Sequence, residues 1–295
     1  MNNADGLLLD ADGNAGPGRC VRLRPSCAGM INYTERIALL MQDVVRRTPL
    51  LSFIDLSEVL VFARFGRADA EGAYATCHCL TLPESEPGYF FWRDRSTGEL
   101  TRRSEWFVTK SPVVKLGDTS VKYLISFVIP RFCDQTLQRS RKAHLYPGEP
   151  GWLAKLDTIF HELYHIDPDE TGIRRFCRAD GSDSMRSHGP LFYEEVADMV
   201  KAYLASGPDP ALYEFLQDDF AGLNARYGGV LATTFRNFPS FPQRYMERLD
   251  MPAADCSVRI EPLKPLTQPV IYTEHDIHVR QFTGSRTSRR KGRAA

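Results

Sequence analysis

The stretch His161-Glu162-Leu163-Tyr164-His165 constrains this chain more than any other, because two imidazoles four residues apart reach a common partner most simply from an α-helix. Four residues along a helix amount to about 40° of rotation, so both rings leave one face, and Glu162 stands beside them. Seven His and sixteen Glu in 295 residues lead to an expectation on the order of 0.01 such strings, which makes coincidence a poor account of it. The flanks agree with a helix. Pro147, Gly148, Pro150 and Gly151 break the chain, and Trp152 to His165 then runs without Pro or Gly. Leu153, Leu156, Phe160 and Leu163 fall on one stripe, with His161 and His165 about 140° from its centre. Asp167-Pro168 ends the helix, since a residue before proline is disfavoured in the α region. One face is expected to pack and the other to present metal ligands.

Two His leave a catalytic metal site incomplete, because such sites take three protein ligands and keep a fourth position open. Ser187-His188-Gly189-Pro190-Leu191-Phe192 is expected to open a second helix, with Pro190 in its first turn and Glu194 and Glu195 near its positive end. His188 lies 23 residues past His165, enough chain to fold back onto the first pair, and is the expected third ligand. Glu194, Glu195 and Asp198 are the alternatives, as carboxylates from a downstream helix complete some sites of this kind. Asp198 or Glu194 could instead support a ligating imidazole from behind.

H-E-x-x-H is the signature of the zincins, whose Glu takes a proton from zinc-bound water. His161-Glu162-x-x-His165 followed by His188-Gly189-Pro190-x-Phe192 resembles the SprT-like metallopeptidases, whose third ligand is the His of a His-Gly-(Pro)-x-Phe segment. The His-Glu-Leu-Tyr-His-Ile form is also similar to phage-type metallopeptidases. The resemblance covers about a tenth of the chain. It implies His161, His165 and His188 as ligands of one Zn2+ ion, Glu162 as catalytic base, and a protein or peptide as substrate. The connection Ile166 to Ser187 is longer than that family leads one to expect, and its Asp180-Gly181 signals an inserted hairpin. For the oxyanion of peptide hydrolysis the candidates near in sequence are Tyr164, Tyr193, Arg174 and Arg175.

Composition bounds the remainder. With 43% hydrophobic and 25% charged residues the chain suits a globular protein with one sizeable core, and its zero net charge implies no global preference for nucleic acid or membrane. No apolar run approaches the roughly 20 residues that cross a bilayer, and the start lacks the order of a signal peptide, so a cytoplasmic protein is expected. Seven Cys at irregular spacings fit reduced thiols better than a disulfide framework. Cys77-His78-Cys79 reads as packed thiols on a strand and not as a second metal site.

Residues 1–30 lack periodicity and read as a disordered leader. Thr34 is the expected cap of a helix over Glu35 to Arg47. Val59 to Phe65 and Tyr74 to Leu82 read as strands, and Glu84 to Arg103 as a surface loop or irregular hairpin. Alternation from Val121 to Ile129 marks a further strand, by position the candidate to pair with extended substrate, with a central and fully paired strand as the equal alternative. Pro208-Asp209-Pro210 is expected to start a helix reaching about Arg226 and ended by Gly228-Gly229. The predicted fold is α+β: a zincin-like domain over 31–228, with a small mixed or antiparallel sheet packed on the metal helix and further helices. A C-terminal extension or annex follows over 229–279, then a basic disordered tail over 280–295.

The function expected is zinc-dependent hydrolysis of peptide bonds. A protein of another class competes with it: a nucleic-acid-associated factor with a closed, four-ligand structural zinc site. Its binding would come from the tail, where Arg280, Arg286, Arg289, Arg290, Lys291 and Arg293 carry six positive charges and no acid, a surface for phosphates.

Overall fold

The computed structural model describes residues 29–66, 72–81, 87–88, 91–93, 100–104, 107–110, 112–170, 172–176, 187–236, 238, 245–248, 260–261 and 271–283. The expected leader up to residue 28, the Asp180-Gly181 turn and the chain from 284 onward lie outside the described residues. The architecture is mixed α and β, with four α-helices and small mixed sheets among the described residues. None of those helices is long and apolar enough to cross a membrane.

A three-stranded sheet carries the core. Strand β2 (Val59–Gly66) and strand β3 (Ala75–Cys79) flank β4 (Tyr123–Pro130), parallel to it on one side and antiparallel on the other. Every residue of β4 is buried. Tyr123, Ile125, Phe127 and Ile129 face the main core, whereas Leu124 packs on the reverse with Leu60, Phe62, Val114, Val121, Phe235, Tyr272 and Ile277. Of the two roles weighed for the strand this leaves the central one: with both edges paired, β4 has no free backbone to offer a substrate. The edges of this sheet are β2 and β3, each of which pairs only with β4 among the described residues, and β3 is the one packed on α2.

Helix α1 (Tyr33–Arg47) lines the main core, and its cap is Asn32, whose side chain accepts from the Glu35 N–H. Thr34, the expected cap, lies inside the helix and accepts from the Thr233 N–H at 2.8 Å. Buried Asp43 ties α1 to α3 (Phe192–Ala205): it receives Arg47 Nε at 3.0 Å and Tyr203 Oη at 2.9 Å. The stretch expected to form one helix from Pro208 forms two 3-10 turns, Pro210–Leu212 and Glu214–Leu216, and then α4 (Phe220–Tyr227). Gly228 ends α4 at φ +68°, a left-handed conformation that costs glycine least.

The chain beyond residue 229 returns to the main body. Strand β5 (Val230–Phe235) pairs in parallel with β1 (Ile31–Asn32) and antiparallel with β6 (Ile277–Phe282). Val230, Ala232 and Phe282 enter the main core. Residues 280–282, expected in a disordered tail, therefore belong to a strand. The segment expected as loop or irregular hairpin contains Phe91–Arg93 paired antiparallel with Leu100–Ser104.

Candidate metal centre

Helix α2 (Leu153–Tyr164) carries the H-E-x-x-H string, and His165 caps its C-terminal end. Leu153, Leu156, Phe160 and Leu163 are buried as their stripe predicts. The opposite face is buried too, which the stripe does not predict: Lys155, Asp157, Thr158, Glu162 and His165 are all below a tenth exposed. α2 is thus a central helix, packed against α3 and β3 and crowded by loops on its polar side. After it, the chain turns back, with an Ile166–Ile173 bridge and an Arg174 N–H donating to the His165 carbonyl at 2.9 Å.

His188 reaches the site from the turn before α3. That helix starts at Phe192 with Leu191 as its cap residue, so Pro190 lies outside it and not in its first turn. Gly189 is fitted to a close approach: a Cβ there would stand 2.8 Å from Cγ of Phe176. Phe192, wholly buried, forms the floor, with its ring centroid 4.8 Å from that of His161, 5.0 Å from His165 and 4.7 Å from His188.

Nε2 of His161 lies 3.2 Å from Nε2 of His165 and 3.1 Å from Nε2 of His188. One ligand atom from each of the three lies within 4.8 Å of the others, close enough to hold a metal ion together. The rings do not satisfy one another well. A neutral imidazole nitrogen either donates or accepts, so His161 Nε2 bonds properly with one neighbour at most. Burial, the largest influence, pushes the proton affinity of all three down, His165 to about 3, and their mutual proximity and Lys142 push the same way. They are held as neutral lone-pair donors, the form that binds metals.

The carboxylate alternatives stand elsewhere. Asp198 is mostly exposed beside Lys201, Glu194 is exposed, and Glu195 accepts from Tyr164 Oη at 2.9 Å. Glu162 is buried next to His161 and hydrogen-bonded by the Cys77 N–H of β3. Burial pushes its carboxyl up to about 8, against the opposing pull of Lys142, that N–H and Arg64. Of the four residues weighed for an oxyanion, Tyr164 is engaged with Glu195 and lies under the Arg174 guanidinium, 4.3 Å from its ring. Arg175 is exposed, while Tyr193 stacks on His188 with centroids 5.4 Å apart.

Three participants have no signature in the sequence. Lys142 Nζ stands 3.4 Å from His161 Nδ1 and is paired with buried Asp157, which also receives Tyr146 Oη at 2.6 Å. Asp157 could have been suspected, being four residues before His161 on the same helix. Lys142 and Tyr146 could not, since only the path of their loop brings them there. Cys77, Cys79 and Cys133 stand outside any disulfide. No protein family model, no curated protein and no solved structure matches this chain.

Proposed function

We propose that this chain is a zinc-dependent metallopeptidase of zincin-like construction, similar to the SprT-like group. The observation that carries the reading is the meeting of three imidazole Nε2 atoms, two from α2 and its cap and one from the turn before α3, beside the buried carboxyl of Glu162. Two nitrogens on a tetrahedral zinc at roughly 2.0–2.1 Å are about 3.3 Å apart, near the 3.1 and 3.2 Å found here. Three ligands, with no fourth in the cluster among the described residues, suit a catalytic site with an open position better than a closed structural one. That favours hydrolysis over the nucleic-acid reading, whose basic tail lies outside the described residues from 284 onward.

When bound, zinc would lower the pKa of its water towards 7 and polarise the scissile carbonyl. Glu162 accepts the proton and passes it to the leaving amine. Burial raises the proton affinity of this carboxyl, which makes its ionised form a stronger base than a carboxylate in water. The open edge of β3 offers backbone groups to an extended peptide, next to the Cys77 N–H that anchors Glu162. Tyr193 is the member of the oxyanion set nearest the ligands.

Zinc content of the purified protein and cleavage of a general protein substrate test the proposal together. The wild type should hold one zinc per chain, and Glu162→Gln should keep the metal while losing about 10²–10⁴ in rate. A protein that takes up no zinc, or a Glu162→Gln variant as fast as wild type, overturns it.

A further inference from the structure

Lys142 sits awkwardly for a metal site. Its ammonium can only donate, so His161 Nδ1, 3.4 Å away, acts as acceptor in the arrangement described, and the one hydrogen of a neutral imidazole is then on Nε2. A metal on Nε2 needs that lone pair. The ring must then carry its hydrogen on Nδ1, and Nδ1–H needs an acceptor that Lys142 cannot be.

Asp157 can be that acceptor. It lies four residues before His161 on α2, which sets the two Cβ atoms about 5–6 Å apart on one face. It is fully buried, and Tyr146 Oη holds its Oδ2 at 2.6 Å, while Oδ1 faces Lys142. Oδ1 therefore comes free when Lys142 moves. Lys142 has somewhere to go: its side chain is partly exposed, and the face of exposed Tyr193 lies 5.5 Å from Nζ. A dication among the three imidazoles would also repel the ammonium.

We propose that Asp157 is the positioning residue of the metal centre and Lys142 its competitor: with metal bound, Asp157 accepts the Nδ1–H of His161, and Lys142 has swung off that nitrogen. The proposal rests on the zinc-site reading above. It demands opposite effects from two partners of one ion pair, whereas a merely structural pair would make both substitutions harmful.

Zinc affinity, read by competition with a chromophoric chelator, separates the cases. Asp157→Asn should weaken zinc by roughly ten- to a hundredfold, the range for lost partners behind metal-binding His. Lys142→Met should bind zinc as tightly as wild type or more tightly. Unchanged affinity in Asp157→Asn, or a tenfold loss in Lys142→Met, overturns the proposal. Should Asp157→Asn fail to fold, the Lys142→Met result decides together with imidazole NMR of the zinc-loaded wild type. There His161 should show a hydrogen on Nδ1 protected from exchange, and its absence counts against Asp157. A wild type that binds no zinc brings down the parent reading and this one with it. A wild type that binds zinc while both variants lose affinity brings down this one alone.

Discussion

The two halves of α2 bury polar groups to the same depth and treat them differently. In the first half Lys155 Nζ donates to the Asp218 carbonyl at 2.7 Å, Thr158 exchanges hydrogen bonds with Gln135, and Asp157 is gripped by Lys142 and Tyr146. In the second half His161 Nε2 meets only other imidazole nitrogens, and His165 Nδ1 is buried without a partner. A buried polar group left unpaired costs about 1–3 kcal/mol, so the ill-satisfied imidazole nitrogens of the second half, beside a Glu162 that the Cys77 N–H does satisfy, mark the place where a metal could be held. The difference separates polar residues that hold the fold from polar residues that hold a ligand.

That separation is open to attack in order of effect. His161→Ala should bring metal binding below detection in chelator competition while leaving the unfolding midpoint of the metal-stripped protein unchanged or raised. A marked loss of metal-free stability would place His161 among the fold-holding groups instead. Phe192→Ala should break both halves of the comparison at once, since this wholly buried ring is floor to all three imidazoles. About 3–5 kcal/mol of stability should go in urea unfolding, with weaker metal binding beside it.

Acid should act on the ligand half alone. In the chelator-treated protein His165 keeps a folded value near 3 against an ordinary 6.5. Between those values the unfolded chain binds a proton that the folded site refuses, so stability is present above about 6.5 and is lost as the pH falls towards 3. His161 and His188 shift in the same direction and steepen the slope. Glu162, raised to about 8, shifts the other way and gains stability over the same range. Urea midpoints of metal-stripped Glu162→Gln protein at pH 7 and pH 5 therefore read the imidazoles, and equal midpoints there would show that these rings are not held neutral. The smallest effect is the mirror of the first: Thr158→Ala strands the Gln135 amide and should cost about 1–2 kcal/mol with zinc affinity untouched.

Much of the site was legible because its signals are local. A breaker cluster at Pro147 to Gly151, an apolar stripe and a proline after Asp167 bound α2 closely, and the need for three ligands pointed past His165 to His188. The strand from Val121 was left between substrate-pairing and central because its neighbours lie far off in sequence. β2 and β3 pair with both of its edges, and Phe235, Tyr272 and Ile277, more than a hundred residues further on, cover its reverse face, so β4 is central. The polar side of α2 does carry the expected imidazoles, and what its sequence did not reveal is that loops from elsewhere in the chain bury it.

The sequence by itself determined the helix, the pair of imidazoles with Glu162 between them, and a short list for the third ligand, because the 3.6-residue period and the donor chemistry are properties of neighbouring residues. Only the tertiary structure decided that His188 and not Glu194, Glu195 or Asp198 comes to the cluster, that burial keeps the rings neutral and lifts Glu162 to about 8, and that Lys142 and Asp157 stand behind His161. Each of these depends on how loops close over α2, and so on desolvation and contacts between segments far apart in the chain.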